Sequence, residues 1–190
     1  SLHDALPIWP MDMRMDQRTA LTAEHIVTTY SEAALQSLFE RYGEVRNSKQ
    51  LAKVIVEGRA KVKLHTIENF KTLISSVVMG NPHKYLAQVF QALRIEVNDE
   101  MGVLRTFLEQ CVECLKPGGV LSVITFHSLE DRIVKQFMKG GFWEEERDSI
   151  YGTRKAIVMK PVGKATAPSE AEQKRNSRSR SAKLRIAKKI

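Results

Sequence analysis

Apolar residues recur at helical spacing through most of the first 115 residues. Thr22, Ser31 and Thr66 each precede such a run, and their hydroxyls suit the N-cap position of a helix. Gly43 follows the second run, where a glycine is typical of a helix end. Because the connections between the runs are brief, the pattern predicts a compact helical unit over about residues 20–80.

A longer helical pattern begins at Pro82, a residue that suits the first helical position. Its apolar spacing continues to Leu115, and the Pro-Gly-Gly at 117–119 ends it. At about 1.5 Å per residue, one helix of this length would extend for tens of ångströms. We therefore expect either one long helix or two helices with a break near Asn98.

The stretch "VLSVITF" (120–126) is apolar on both faces, which is typical of a strand inside a parallel sheet that helices cover on either side. The following "LEDRIVKQFM" predicts a helix. Ser128 can cap that helix, with Asp131 as a short-armed partner in a capping box. Together these segments predict the helix–strand–helix unit of a doubly wound α/β fold.

The sequence offers few partners for this strand. "RKAIVM" (154–159) is a plausible second strand, whereas "SAKLRIAKK" (181–189) can close as a helix with Leu184 and Ile186 packed inward. Sheets usually have about four to six strands. Either another chain completes the α/β layer or part of the layer has been cut away, and we expect truncation. Residues 1–9 match no pattern in the rest, and we expect them to be a non-native or scar segment.

Positive charge is concentrated near the C-terminus. The net charge of the chain is +8, and Thr153–Ile190 holds 12 Lys/Arg against two Glu, a net of +10. The preceding residues therefore carry a net of −2. Contact with a polyanion should concentrate in the basic segment. The alternative is a basic tail that is simply solvated.

Other composition features narrow the class of protein. No apolar run approaches the roughly 20 residues of a membrane helix, and the N-terminus lacks the pattern of a secretory signal. Cys111 and Cys114 form a C-x-x-C at a predicted helix end without the further ligands of a zinc site, so we interpret them as ordinary helix residues. We expect a soluble, cytoplasmic protein with no membrane contact and no metal.

Four stretches together resemble the RsmH/MraW family. They are "PMDMRMD" (10–16), "FQALRIEVNDE" (90–100), "LKPGGVLSVITFHSLEDRIVKQFM" (115–138) and "RSRSAKLRIA" (178–187). "LKPGG" before a strand is shared by many class I methyltransferases, whereas the other stretches are more specific. The family's members use S-adenosyl-L-methionine to methylate a cytosine of bacterial 16S rRNA. The resemblance covers roughly residues 10–190.

The resemblance implies the C-terminal portion of a class I (Rossmann-like) α/β methyltransferase with an inserted all-helical domain. The family's glycine-rich cofactor loop has no counterpart, because no glycine-rich strand–turn–helix occurs in the 190 residues. We therefore expect the main cofactor site to lie in a missing N-terminal part and this chain alone to be inactive. The implied division after residue 9 is the end of the N-terminal part (10–18), a helical substrate-recognition insert (19–82), the C-terminal part of the methyltransferase domain (83–162) and a basic C-terminal segment (163–190).

Two departures from the family pattern stand out. Trp9 occupies the position before Pro10 where the family normally has glycine, and "MKPVGKATAPSEAEQKRNS" (159–177) matches the family only loosely, which leaves the course of residues 139–176 open.

The candidate catalytic residues follow from the same resemblance. His127 and Ser128 lie where the predicted strand ends, which is where doubly wound sheets place their pockets. We expect them to line the pocket of the target base; the alternative is that Ser128 is only a helix cap and His127 a spacer. Asn98 and Asp12 are candidates to accept a proton or hydrogen bond from the cytosine amine.

The candidate substrate-binding residues combine a loop, a helix face and the basic segment. In 10–16 charged residues alternate with methionines, which indicates either a loop beside the active site or an extended edge with one charged face. Gln91 and Arg94 share a helix face with Asn98. The full set is Arg14, Asp16, Gln91, Arg94, Arg132, Arg178, Arg180, Lys183 and Arg185.

The implied partner is 16S rRNA in the small ribosomal subunit, and a homodimer is a further expectation. Two alternatives stay open. One is a non-enzymatic RNA-binding or ribosome-associated protein with a helical bundle and a basic tail. The other is a methyltransferase of related fold that acts on another amine.

Overall fold

The computed structural model describes residues 9–140 and 158–190, which fall into two compact units that divide between Glu100 and Met101. The helices are α1 (Ala23–Thr29), α2 (Glu32–Gly43), α3 (Ser48–Gly58), α4 (Ile67–Ile74), α5 (Pro82–Val97), α6 (Glu100–Cys114), α7 (Ser128–Gly140) and α8 (Glu170–Arg175). The strands are β1 (Val120–Thr125), β2 (Met159–Pro161) and β3 (Lys183–Lys189). Short 3-10 segments occupy Ser75–Val77 and Ser177–Ser181. Within these ranges, none of the helices has both the length and the apolar character that crossing a bilayer demands.

The first unit is a helical bundle that extends beyond the predicted residues 20–80 and includes α5. The hydroxyls of Thr22, Ser31 and Thr66 accept hydrogen bonds from the third residue of α1, α2 and α4, which confirms all three predicted N-caps. Helix α2 packs against α3 and α5. The largest buried side chains of this core include Phe39 and Phe70, both without solvent exposure.

The long helical pattern is broken after Val97, near the position that the sequence predicted. The backbone N–H of Asn98 still donates to the carbonyl of Arg94, but Asp99 adopts a left-handed conformation with φ of 44°. Aspartate tolerates this region better than most residues, and α6 begins at the next residue.

The second unit contains a three-stranded antiparallel sheet with the order β1-β3-β2. We expected β1 inside a parallel sheet, but its one neighbour among the described residues is antiparallel. Leu121, Val123 and Thr125 are buried on one face, while Val120 and Ile124 are more than half exposed on the other. Both faces of β1 are apolar, and the described residues cover only one of them.

The prediction of a C-terminal helix is wrong, because residues 183–189 form the central strand of this sheet. Leu184 and Ile186 are spaced by two, which suits a pleated strand as well as a helix, and pairing with β1 and β2 satisfies the backbone on both sides. The predicted second strand is only partly testable, since 154–157 lie outside the described residues. Its end, from Met159, forms the start of β2.

Strand β3 is also held by its cationic side chains. The ammonium of Lys189 donates to the carbonyl oxygens of Val112 and Leu115 at 2.6 and 2.7 Å, which satisfies acceptors at the end of α6. Towards the other end of β3, Arg185 donates through Nε and Nη2 to the two carboxylate oxygens of Asp131 at 2.7 and 3.1 Å.

Asp131 therefore serves a role that the sequence analysis did not assign to it. It was predicted as a capping partner, but the residue is only 8% exposed and its carboxylate binds Arg185 together with Lys183, whose Nζ lies at 3.3 Å. The hydrogen bonds from Arg185 are the main cause that lowers the pKa of Asp131. The contact fastens α7 to the central strand.

Replacing Asp131 with Asn should destabilise the second unit by roughly 1–3 kcal/mol, less than a fully buried ion pair because solvent screens part of the contact. Because the pKa of Asp131 is lowered in the folded state, its contribution is present above pH ~4 and is lost as the pH falls below that. Hydrogen exchange of β1 and β3 amides should accelerate in the variant at neutral pH.

The matched control is Asp16→Asn, which removes a carboxylate from an exposed ion pair with Arg18 in the other unit. It should leave exchange in β1 and β3 unchanged. Equal protection of β3 in the wild type and Asp131→Asn would contradict the role given to this contact.

Candidate functional site

The loop that carries the charged–methionine alternation is anchored to the helical unit by its backbone. The N–H of Met11 donates to the carbonyl of His65 at 2.9 Å, and the carbonyl of Met11 accepts from the N–H of Glu24 at 2.7 Å. The Met11 side chain is 1% exposed in the helical core. The segment is therefore fixed on both sides before the charged positions begin.

An internal ion pair then shapes the loop. Arg14 donates through Nε and Nη2 to the two oxygens of Asp12 at 2.7 and 2.8 Å, and its Nη1 donates to the carbonyls of Gln17 and Thr19. The side-chain hydrogen bond from Arg14 lowers the pKa of Asp12 to about 2. Both side chains are thus engaged within the loop, and Asp12 is ionised throughout the neutral range.

Asn98 holds the middle of the same loop. Its side-chain Oδ1 accepts from the N–H of Met15 at 2.7 Å, and its Nδ2 donates to the carbonyls of Met13 and Arg94 at 2.9 and 2.8 Å. Met13 has a φ of 64°, a conformation that a methionine adopts only when its surroundings fix it. The Asn98 amide supplies that restraint from the end of α5.

A cavity of about 470 Å³ lies between this loop and α5. Its walls combine apolar and polar side chains: Met13, Met15, Ala87, Phe90, Gln91 and Arg94. Gln91 donates to the carbonyl of Tyr42 at 2.9 Å, and Arg94 binds both oxygens of Glu100 at 2.6 and 3.0 Å. The structure thus brings together the loop and the polar helix face that the sequence singled out.

Phe90 was missed by the sequence analysis as a residue of this cavity, because its helical spacing predicted only a core position. It is half-buried and also contacts Phe70, with ring centroids 6.0 Å apart. The alternation of methionines in 10–16 was the available signal for the apolar wall.

His127 occupies the N-cap position of α7 in the second unit. Its carbonyl accepts from the N–H of Asp131 at 3.1 Å, and its Nδ1 accepts from the N–H of Glu130 at 3.4 Å. The carboxylate of Glu130 reaches back to the N–H groups of Phe126 and His127 at 2.8 and 3.3 Å. This is a reciprocal capping box, shifted by one residue from the predicted Ser128–Asp131 pair.

Ser128 is the first residue of α7 and is exposed. The prediction that its hydroxyl caps this helix is wrong, because His127 occupies the N-cap position. The His127 side chain lies mostly below the surface, with 13% exposed, and its Nε2 is 3.4 Å from Oε1 of Glu130. Arg132 is exposed on the same helix. None of these positions tests the proposed contact with a base, which stays a prediction.

The remaining basic candidates divide into two groups. Lys183 and Arg185 bind Asp131, as described above. Arg178 and Arg180 are exposed on the 3-10 segment, and their contact with RNA stays a prediction.

The described residues do not fit a binding loop for S-adenosyl-L-methionine. Gly118 and Gly119 precede β1 and are paired with β3: the N–H of Gly118 donates to the carbonyl of Lys189, and the carbonyl of Gly119 accepts from the N–H of Lys189. A cofactor loop needs free backbone N–H groups that open a helix after a strand. These glycines open a strand after a helix.

Comparison with known proteins identifies the family. A family model described as the MraW methylase family matches residues 7–190. The chain belongs to the MraW methylase family. Ribosomal RNA small subunit methyltransferase H of Flavobacterium psychrophilum is 48% identical over 180 residues, 94% of this chain and 62% of the relative. The protein of the same name from Amoebophilus asiaticus is 49% identical over 181 residues, 93% of this chain and 58% of the relative.

Membership in the MraW methylase family confirms the resemblance carried by the four sequence stretches. The chain spans about three fifths of the length of the curated relatives it matches. A further relative, ribosomal RNA small subunit methyltransferase H of Bacteroides thetaiotaomicron, is 48% identical over 94% of this chain and 60% of its own length.

Replacing Asn98 with Ala should release the loop at Met13–Met15, because the two side-chain hydrogen bonds that join the loop to the end of α5 are lost. We expect a loss of about 1–2 kcal/mol in the free energy of unfolding of the first unit. Amide exchange should accelerate first in the peptide that contains Met15. Gln88→Ala is the control, since it removes one long, exposed hydrogen bond from the same helix.

The contact between Asp12 and Arg14 in this loop should also depend on pH. Because its pKa falls to about 2 in the folded state, the Asp12–Arg14 contact is complete above pH ~4 and is lost as the pH falls towards 2. Asp12→Asn should remove this dependence. Carboxyl chemical shifts followed by NMR measure it directly, and a midpoint for Asp12 near 4 would contradict the bidentate contact.

Proposed function

We propose that the chain is the acceptor-nucleotide portion of an S-adenosyl-L-methionine-dependent enzyme that methylates a cytosine N4 in 16S rRNA of the small ribosomal subunit. The observation that carries the proposal is the family match over residues 7–190, with relatives named ribosomal RNA small subunit methyltransferase H. The alternative amine substrates of related enzymes have no comparable support.

The cavity beside α5 suits an unpaired base. Met13, Met15 and Phe90 offer an apolar wall against which a planar ring can pack, and Gln91 and Arg94 place polar groups at its edge. A cytosine amine is a weak nucleophile because its lone pair is conjugated with the ring. Holding the amine in a fixed orientation is therefore the main contribution that this part of an enzyme can make.

Asp12 and Asn98 support this role in a specific way. A carboxylate with a pKa near 2 stays ionised at neutral pH, so it can accept a hydrogen bond from an amine N–H but is a weak base. Asn98 keeps the loop, and hence Asp12, in place. We assign Asp12 to contact with the amine, with Asn98 as a positioning residue, and Arg14 and Asp16 to shaping the substrate loop.

His127 and Ser128 are proposed to line the target-base pocket, on the strength of the resemblance. The capping box gives this proposal a physical basis, because it fixes the imidazole at the end of β1 in one orientation. Nδ1 accepts a hydrogen bond, so in the neutral ring Nε2 carries the proton. That nitrogen lies 3.4 Å from Oε1 of Glu130, so a substrate group would compete with this carboxylate for its N–H.

The cofactor is proposed to be held by residues outside this chain, since Gly118 and Gly119 open a strand after a helix and are paired with β3. The chain alone should then be inactive. We further propose the division of domains inferred from the sequence, with 19–82 as an inserted helical substrate-recognition domain. Action on rRNA favours a cytoplasmic location.

A fusion to the part of the F. psychrophilum relative that this chain does not match tests the proposal. It should transfer labelled methyl groups to small-subunit rRNA lacking the modification, and the product should be N4-methylcytosine by mass spectrometry. Transfer to another atom would contradict the assigned acceptor, and binding of RNA without transfer would favour the non-enzymatic alternative.

Two substitutions at His127 separate its capping from its pocket role in that fusion. His127→Asn keeps an N-cap side chain, whereas His127→Ala removes it and should cost about 1 kcal/mol of helix stability. If the imidazole contacts the substrate, both variants lose methyl transfer by tenfold or more. Full activity in His127→Asn would show that His127 is only a helix cap. Ser31→Ala, which removes the cap of α2, controls for lost capping alone.

A further inference from the structure

The second unit contains a cavity of about 510 Å³ whose wall is basic. Helix α7 contributes Lys135, Met138 and Lys139, the turn after β2 contributes Lys164, and β3 contributes Arg185 and Ile186. No acidic side chain lines it among the described residues. The volume is large enough for a nucleotide-sized group.

Four cations of the basic C-terminal segment already have partners in the fold. Lys183 and Arg185 bind Asp131, Lys189 binds the end of α6, and Arg175 binds Glu172. These side chains stabilise the fold through their partners. Binding RNA phosphates instead would break those contacts.

The three lysines of the cavity, by contrast, have no ionic partner among the described residues. Lys135, Lys139 and Lys164 are exposed and form no ion pair with any residue that the structure describes. Asp131 lies one turn before Lys135, but its two oxygens already accept from Arg185 and Lys183. The cavity wall therefore carries an excess of positive charge, which attracts anions from solution.

The lysines are carried on fixed backbone. Lys135 and Lys139 are four residues apart on α7, so both project from one face with a rise of about 6 Å between them. The turn with Lys164 is tied to β3 at both ends: Val162 donates to the carbonyl of Ile186, and Thr166 exchanges two hydrogen bonds with Leu184. Gly163, with φ of 71°, makes the turn between these anchors.

We propose that this cavity binds consecutive phosphates of an RNA backbone through Lys135, Lys139 and Lys164. Lysines on a fixed helix and turn can contact neighbouring phosphates without reading a base, so they add affinity and register. Met138 and Ile186 supply an apolar floor against which a ribose or base can rest. The site rests on the proposed rRNA substrate and adds a contact outside the target-base pocket.

Binding of a fluorescein-labelled single-stranded RNA to the whole chain, followed by anisotropy, tests this site. Replacing the three lysines with Gln should lower the slope of log K against log salt by about 2, since each phosphate contact on a single strand contributes about 0.7. Affinity at about 0.1 M KCl should fall by ten- to a hundredfold.

The matched control replaces Lys116, Lys174 and Lys188 with Gln. These lysines are exposed in the same unit and lie outside the cavity, and their replacement removes the same amount of positive charge. A loss below threefold in the control, with the full loss in the cavity variant, supports the site. Equal losses in both, or no loss in either, overturn it. Circular dichroism of both variants checks that the fold is retained.

Two further measurements distinguish RNA binding by the cavity from binding of a free anion and from the proposed methyltransferase function. Saturable binding of inorganic phosphate by the cavity, with RNA affinity unchanged by the substitutions, would overturn the RNA assignment in favour of a free anion. In the methyl-transfer fusion, the cavity variant should raise KM for rRNA and leave kcat within twofold. Unchanged KM with normal methylation would overturn the cavity alone, and the proposed function would stand.

Discussion

The ion pairs of Asp131 hold the second unit together. Strand β3 is the middle strand of its sheet, so β1 and β2 depend on it for their backbone partners. The strand is also strongly basic, and four of its seven residues are Lys or Arg. A central strand of this kind is stable only if its charges are matched, and Asp131 and the carbonyls at the end of α6 match three of them.

The same contact decides which charges remain for a ligand. Net charge points to the whole C-terminal segment as an RNA surface, but much of that charge neutralises groups within the fold. Three cations that have no ion pair among the described residues, Lys135 and Lys139 on α7 and Lys164 on the turn after β2, surround one cavity. In the first unit, polar groups are also used to fix backbone: Asn98 and the Asp12–Arg14 pair set the course of the loop that lines the other cavity. Both candidate sites are therefore fixed by polar contacts before any substrate arrives.

Local features of the fold could be predicted and long-range features could not. The caps at Thr22, Ser31 and Thr66 and the break near Asn98 depend on residues within one turn, and the sequence pattern found them. Strand β3 was predicted as a helix because its partner, β1, lies about 60 residues away, and pairing outweighs local propensity. The capping box at α7 was displaced by one residue because histidine is an uncommon N-cap, which made Ser128 the favoured choice. The hydrogen bond between Asn98 and Met15 joins residues 83 positions apart, so no local sequence pattern predicts it.

We propose that this chain supplies the nucleotide-binding side of a methyltransferase and that residues outside it hold the methyl donor. Calorimetric titration of S-adenosyl-L-methionine into the purified 190-residue chain tests this most directly. We expect no detectable heat of binding, because Gly118 and Gly119, which precede β1, are paired with β3. Saturable binding would mean that the residues present build a donor site without a glycine-rich loop, and would contradict the claim.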